Sequence, residues 1–243
     1  PKPEVIEQLY RRMDELVGKV RGRLKDGDLL LIVSDHGFKL FRRGVNVNTW
    51  LFRNGYLHLK EGGKTSGEWF RDVDWTRTRA YAFGLSGLYL NREGREKNGI
   101  VPGDEVPALK RELIGKLSGL RDEDWGGREA ITTLYDTEEI YSGPYRENAP
   151  DLIIGFYPGW RHSWESVSGK VEGDVFIDNE KAWSADHCID HRFVPGVFFS
   201  SRPVRSAGPA IQDIAPTALH LFGIRPPAYM DGEIVEIIMG RDA

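Results

Sequence analysis

The chain has 243 residues, of which 40% are apolar and 29% charged, and its formal net charge is −4. This length suits one large domain or two small ones, and it is enough to bury a full core. The mild acidity and the lack of a dense Lys/Arg run exclude an electrostatic footprint for nucleic acid. No apolar run is long enough for a membrane segment. The single cysteine, Cys188, cannot form an internal disulfide, which predicts a reducing compartment, the cytoplasm.

The first predicted elements are an amphipathic helix and a buried strand. Apolar side chains recur at three- and four-residue steps over residues 3–24, with charged side chains between them. Asp26-Gly27 then predicts a turn. The five aliphatic residues 29–33 predict a strand buried on both faces, as in a parallel sheet. A helix followed by a short turn and an apolar strand is typical of an α/β layer.

The segment Ser34-Asp35-His36-Gly37 ends this strand. In an open α/β sheet the carboxyl ends of the strands are where ligands bind. Asp35 and His36 bring a carboxylate and an imidazole, both of which are metal ligands, to that position. On these residues alone, an ordinary strand-end turn with an exposed histidine explains the pattern equally well.

The middle and end of the chain predict further alternating elements. Glycines and prolines mark the boundaries between them. The loop at residues 61–68 is not a phosphate-binding P-loop, because the required glycine spacing is missing. The predicted helices are 48–54 (closed by Gly55), 104–117 and 211–222, and the predicted strands or extended segments are 79–91 (broken at Gly84 and Gly87), 130–135, 151–157, 195–200 (a short buried strand) and 233–239, with a loop-rich stretch at 160–183.

A second candidate half of the site lies late in the chain. A divalent ion held by Asp35 and His36 needs at least one more ligand, because zinc takes three or four protein ligands. The segment 184–191, just before the predicted strand at 195–200, offers carboxylates and imidazoles. The spacing does not choose among its candidates, which are Asp186, His187, Asp190 and His191.

Seven segments in order along the chain resemble the type I phosphodiesterase/nucleotide pyrophosphatase branch of the alkaline phosphatase superfamily. A single Asp-His-Gly would be weak support, but the ordered set covers nearly the whole chain. The segments are Ser34–Gly37, Asn48–Leu51 with Gly55–Leu57, Ala80–Gly84, Ala149–Ile153, Asp186–Asp190 ahead of Pro195–Val197, Asp213–Thr217 and Met230–Gly232.

The resemblance implies an α/β fold with a doubly wound, mostly parallel sheet of the alkaline phosphatase type and an inserted cap at about residues 60–180. It also implies a phosphoryl-transfer site with two divalent ions, usually zinc and in some relatives manganese. Asp35 and His36 correspond to ligands of one ion and His187 to a ligand of the other. Asp190, which could orient His187 or replace it as a ligand, and His191 are the weaker candidates.

The sequence also departs from the family pattern. The family begins with an Asp-tipped strand, a Thr or Ser nucleophile and a further Asp and His ligand, none of which is found in this chain. We therefore expect residues 1–243 to be the C-terminal portion of one domain. Its first strands would be absent, its nucleophile would lie upstream of Pro1, and the chain alone would be inactive.

The expected function in the longer protein is metal-dependent hydrolysis of phosphoric esters. The expected substrate is a small phosphorylated molecule, a nucleotide or a phosphodiester, and no membrane or nucleic-acid partner is expected. Two alternatives remain open. One is another branch of the superfamily, such as a cofactor-independent phosphoglycerate mutase, a phosphopentomutase or a sulfatase. The other is a non-catalytic domain that binds a metal or a partner.

Overall fold

The computed structural model describes residues 3–239, which fall into two compact units. Of the described residues, the terminal unit combines 3–35 with 196–239. The central unit is the continuous segment His36–Pro195. Both units contain helices and strands, so the predicted α/β class is confirmed.

The helices and strands of the described residues are numbered in chain order. The helices are α1 (Pro3–Arg21), α2 (Val47–Arg53), α3 (Val106–Leu117), α4 (Thr137–Ile140), α5 (Trp164–Val167) and α6 (Ile214–Leu221). The strands are β1 (Leu31–Val33), β2 (Lys39–Val45), β3 (Ala80–Phe83), β4 (Gly87–Leu90), β5 (Arg121–Asp122), β6 (Arg128–Glu129), β7 (Ile131–Asp136), β8 (Leu152–Phe156), β9 (Gly159–His162), β10 (Phe176–Asp178), β11 (Ala185–Asp186) and β12 (Phe198–Ser200).

In the terminal unit the predicted first helix is confirmed as α1, but its apolar side chains are not buried. Ile6 is 63% exposed and Leu9 is 52% exposed. The three- and four-residue spacing fixes which side chains share a helix face. It does not supply the surface that would cover them.

The strand predicted at residues 29–33 differs from the expectation. It is reduced to β1, which pairs with β12 in an antiparallel two-stranded sheet. Val33 in β1 is 40% exposed and Phe199 in β12 is 61% exposed. The prediction of a parallel strand buried on both faces is therefore wrong, and so is the burial predicted for the strand at 195–200.

In the central unit, β2 is the shared member of one sheet. It pairs in parallel with β9 and antiparallel with β10 and β11. A second sheet has the order β3-β4-β8-β7, with antiparallel neighbours throughout. Among the named strands of the described residues only β2 and β9 pair in parallel, so the doubly wound, mostly parallel sheet is not confirmed.

The core of the central unit lies where α2 and α3 pack with the antiparallel sheet. The apolar side chains of α3 at Leu109, Leu113 and Leu117 are at most 1% exposed, as their helical spacing predicts. Gly55, just after α2, has a φ of +76°, the left-handed conformation that a glycine adopts after a helix end.

The helices predicted at 104–117 and 211–222 and the strands predicted at 79–91, 130–135 and 151–157 are confirmed with shifted boundaries. Residues 233–239 form no named strand, and the stretch predicted as loop-rich at 160–183 contains α5 and β10. The hairpin of β3 and β4 is broken between Phe83 and Gly87, as predicted. A 3₁₀ turn at Ile211–Asp213 precedes α6, and residues 233–239 form only an isolated bridge from Ile237 to Val204. None of the helices in residues 3–239 combines the length and the apolar character needed to cross a membrane.

Candidate metal centre

The pairing of β2 with β11 brings the two halves of the predicted site together. His36 opens the central unit a few residues before β2, and His187 directly follows β11. The strands pair antiparallel, with Asp186 opposite Lys39 and Ala185 opposite Leu40. An antiparallel register therefore carries the residue after Asp186 towards the residues before Lys39.

The imidazole rings of His36 and His187 stack face to face. Their centroids are 3.7 Å apart and their planes differ by 5°. The ring of Phe38 meets both imidazoles edge-on, at 5.3 Å from His36 and 5.6 Å from His187. Two imidazoles far apart in the chain thus lie at one place in the central unit.

Hydrogen bonds indicate which ring nitrogens can act as ligands. His36 Nδ1 lies 3.0 Å from the carbonyl oxygen of Gly37, so this nitrogen carries the proton and donates it. In a neutral ring the lone pair is then on Nε2, which is the usual arrangement of a metal-binding histidine. His187 Nδ1 is buried and has no hydrogen-bond partner among the described residues.

The side chain of Asp186 is buried and forms a hydrogen bond with the backbone of His187. Its Oδ1 accepts the backbone N–H of His187 at 2.7 Å and that of Cys188 at 3.1 Å. Oδ1 is also 3.5 Å from His187 Nδ1, an ion pair only if the ring is protonated and not a hydrogen bond. Its Oδ2 is 2.8 Å from Nη1 of Arg161. Burial acts to raise the pKa of Asp186, but the Cys188 N–H and the Arg161 charge outweigh it and lower that pKa.

Cys188 completes a compact group of metal-capable side chains. The ligand atoms of Asp186, His187 and Cys188 lie within 4.8 Å of one another. Burial and the neighbouring Asp186 raise the pKa of the Cys188 thiol to about 11, so it is protonated at neutral pH. Sequence reasoning did not include Cys188 as a candidate ligand, although its position next to His187 was a usable signal.

The remaining predicted residues lie in different surroundings. The buried Asp190 carboxylate accepts hydrogen bonds from Arg192, with Nε at 2.9 Å, and from the Tyr135 hydroxyl at 3.0 Å. The Arg192 guanidinium helps to hold the pKa of Asp190 below its usual range, against the effect of burial. His191 is 76% exposed beside the Tyr135 ring. Asp35 is the last residue of the terminal unit and directly precedes His36 in the chain.

The donor set fits a zinc-type ion. Imidazole nitrogen, carboxylate oxygen and thiolate sulfur are the ligands that zinc takes in proteins. The buried Nδ1 of His187 has no hydrogen-bond partner in residues 3–239, and such a nitrogen is costly unless something binds it. The stacked histidines with their neighbouring carboxylate therefore define a candidate metal centre on an α/β framework.

Comparison with protein families agrees with this class of site. Residues 1–174 match the sequence model of the type I phosphodiesterase / nucleotide pyrophosphatase family, and the chain belongs to that family. The predicted family membership is confirmed, and the family implies a hydrolase that acts on phosphodiester or nucleotide substrates. The matched segment includes His36 and ends before His187. A comparison with curated proteins gave no match.

Proposed function

We propose that this chain supplies part of the two-ion site of a metal-dependent phosphodiesterase or nucleotide pyrophosphatase. His36 holds one ion together with Asp35, which the peptide bond keeps next to it, and His187 holds the other. Zinc is the expected metal, with manganese as the alternative. The observation that carries the proposal is the face-to-face stacking of His36 and His187 at 3.7 Å.

The parallel stacking supports two ions rather than one. A histidine binds a metal with a lone pair that lies in the plane of its ring. Two parallel rings one above the other therefore direct their lone pairs into separate planes. Two ions held in these planes on the same side of the stacked rings would be separated by about the stacking distance of 3.7 Å, and the ions of two-metal sites are roughly 3.5–4 Å apart.

The groups around the two histidines position them through hydrogen bonds. The Gly37 carbonyl accepts the Nδ1 proton of His36 and so fixes the orientation of the ring, which leaves Nε2 to bind the metal. The Asp186 carboxylate, held by Arg161, accepts the backbone N–H of His187 and so positions that residue. When bound, the two ions would activate an attacking oxygen and neutralise the leaving oxygen of a phosphoric ester.

The chain alone is expected to bind metal weakly and to have no turnover. Zinc takes three or four protein ligands, so two ions need about twice the three ligands proposed, which are Asp35, His36 and His187. Residues 60–180 are proposed as the cap that selects the substrate. The single cysteine, Cys188, keeps the cytoplasm as the proposed location.

Zinc titration of the metal-free chain tests the proposal. We expect His36→Ala and His187→Ala each to weaken zinc binding about tenfold or more, measured by calorimetry, because each removes one imidazole ligand. The matched control is His220→Ala, since His220 is an exposed histidine on α6. Circular dichroism shows whether each variant keeps its fold.

The number of zinc ions bound tests the two-ion arrangement, and phosphodiesterase activity tests the expected inactivity of the chain. Each histidine variant should lose one of two binding events; if both variants abolish a single shared event, the two-ion arrangement is wrong. With bis(p-nitrophenyl) phosphate and added zinc or manganese, we expect no turnover by the chain alone. Turnover that disappears in His187→Ala would refute the predicted inactivity and establish the hydrolase.

A further inference from the structure

The central unit contains a cavity of about 480 Å³. Arg161, which forms the ion pair with Asp186, is one of the residues that line it. The lining comes from β2, β9, the start of α5 and the segment around β10. Its volume is within the range of about 300–1,000 Å³ of small-molecule sites.

Two residues that line the cavity carry buried polar atoms without hydrogen-bond partners in residues 3–239. The atoms are Nε and Nη1 of Arg161 and Oε2 of Glu165. Nη1 of Arg161 does approach Asp186 at 2.8 Å, but its geometry falls short of a hydrogen bond. Buried polar groups are otherwise almost always hydrogen-bonded, so a cluster of exceptions around one cavity calls for a polar occupant.

The Arg161 side chain is rigidly placed in the cavity wall. It is 2% exposed, and its guanidinium carbon lies 5.1 Å from the centre of the Phe41 ring and 4.3 Å from that of Trp164. Nζ of Lys181, at the rim, lies 4.9 Å from the centre of the Trp164 ring. The buried guanidinium of Arg161 and the exposed ammonium of Lys181, both in contact with the Trp164 ring, offer two cations to an anionic group.

The opposite requirement comes from Glu165. Its buried Oε2 is an acceptor without a hydrogen-bond partner in residues 3–239, and it needs a hydroxyl or amine donor. Glu165 therefore opposes an anion that brings no such donor. The ring of His162 is directed into the core instead, where it stacks on Phe156 and donates its Nδ1 proton to the Gly84 carbonyl at 2.7 Å.

We propose that this cavity binds a hydroxylated anion of the sugar-phosphate type. Its anionic group is held by Arg161 and Lys181, and a hydroxyl donates to Glu165. A nucleobase is the less suitable occupant, because the Trp164 ring already carries two cation–π contacts. The inference does not depend on metal binding or on hydrolysis at the stacked histidines.

The test uses calorimetric titration of the whole chain in the presence of a chelator, so that no metal-bound phosphate contributes. The probes are ribose 5-phosphate, inorganic phosphate and ribose. We expect saturable one-to-one binding of ribose 5-phosphate, at least about tenfold tighter than either fragment, because both sets of partners are then satisfied.

Two variants distinguish the contacts made to the hydroxyl groups of the ligand from those made to its phosphate group. Glu165→Gln removes the charged acceptor, and it should weaken ribose 5-phosphate about tenfold while leaving inorganic phosphate unchanged or tighter. Lys181→Ala should weaken both phosphates by a similar factor. Lys64→Ala, a change of an exposed lysine away from the cavity, is the matched control and should change neither affinity.

Two results would overturn the proposal. The first is the absence of saturable ribose 5-phosphate binding by the unaltered chain at millimolar concentration. The second is equal affinity in Glu165→Gln and in the unaltered chain, which would place the ligand elsewhere. Neither result bears on the zinc titration.

Discussion

The neutral, fully buried imidazole of His162 makes the stability of the chain depend on pH in a predictable way. His162 is 0% exposed, and burial lowers its pKa from 6.5 to about 4. The unfolded chain therefore binds a proton at a higher pH than the folded chain does. The stabilisation is fully present above about pH 6.5, is lost progressively as the pH falls towards 4, and does not change further below that.

The magnitude follows from the difference between the two pKa values. At about 1.4 kcal/mol for each pH unit, the change from 6.5 to about 4 corresponds to about 3 kcal/mol of unfolding free energy. Other groups titrate in the same range, so the effect has to be measured as a difference between the unaltered chain and a variant. His162→Gln removes the titration and keeps an amide that can donate to the Gly84 carbonyl.

The assay is urea unfolding of both proteins between pH 7 and pH 4. We expect the advantage of the unaltered chain over His162→Gln to shrink by about 3 kcal/mol across that range. His220→Gln is the matched control, because His220 is exposed, and its difference from the unaltered chain should stay constant. Parallel pH profiles for the unaltered chain and His162→Gln would refute the reasoning.

Three further predictions concern stability measured by the same urea unfolding. Asp122→Ala should destabilise by about 3 kcal/mol, because it leaves the guanidinium of Arg43, bound to Asp122 at 2.8 Å, buried without its main partner; Asp122→Asn, which keeps the shape, should cost less. Asn48→Ala should cost about 2–3 kcal/mol, because the Asn48 amide both accepts from and donates to the backbone of Ala82 at 2.8 Å in the core, and an unchanged midpoint would contradict this. Leu9→Glu should change stability by less than about 0.5 kcal/mol, because Leu9 is 52% exposed on α1; a loss of 2 kcal/mol would mean that its face is covered.

Local patterns predicted the elements that local forces determine. The helix that became α2 was marked by its apolar side chains and by Gly55, whose positive φ ends it. The break between β3 and β4 was marked by Gly84, which has a φ of +71°. In each case a few neighbouring residues carry the signal, so one sequence is enough to read it.

Pairing direction and burial were harder to predict, because both depend on distant partners. Five aliphatic residues at 29–33 gave the correct strand but not its antiparallel partner β12 or its partial exposure. The buried contact of Arg43 with Asp122 joins residues 79 positions apart, and nothing near either residue indicates it. A single sequence contains the residues of such contacts but not their register.

The candidate site shows the same division. Asp35 and His36 stood out as metal-capable residues at a strand end, whereas the resemblance to a family was needed to choose His187 from its neighbours. The stacking of His36 on His187 results from the register in which β2 pairs with β11. Arg161 was not predicted at all, because a lone arginine between aromatic residues has no recognisable spacing.

The central position of β2 determines when the central unit can fold during synthesis on the ribosome. All three partners of β2 lie more than a hundred residues later in the chain. At roughly 5–20 residues per second, the ribosome needs several seconds to deliver them. During that interval β2 has both edges open, and the entropic cost of closing so long a loop delays its pairing further. The pairing of β2, and with it the stacking of His36 on His187, therefore waits until residues 159–187 have been synthesised. A chaperone that shields residues 39–45 during this interval would increase the yield of folded chain.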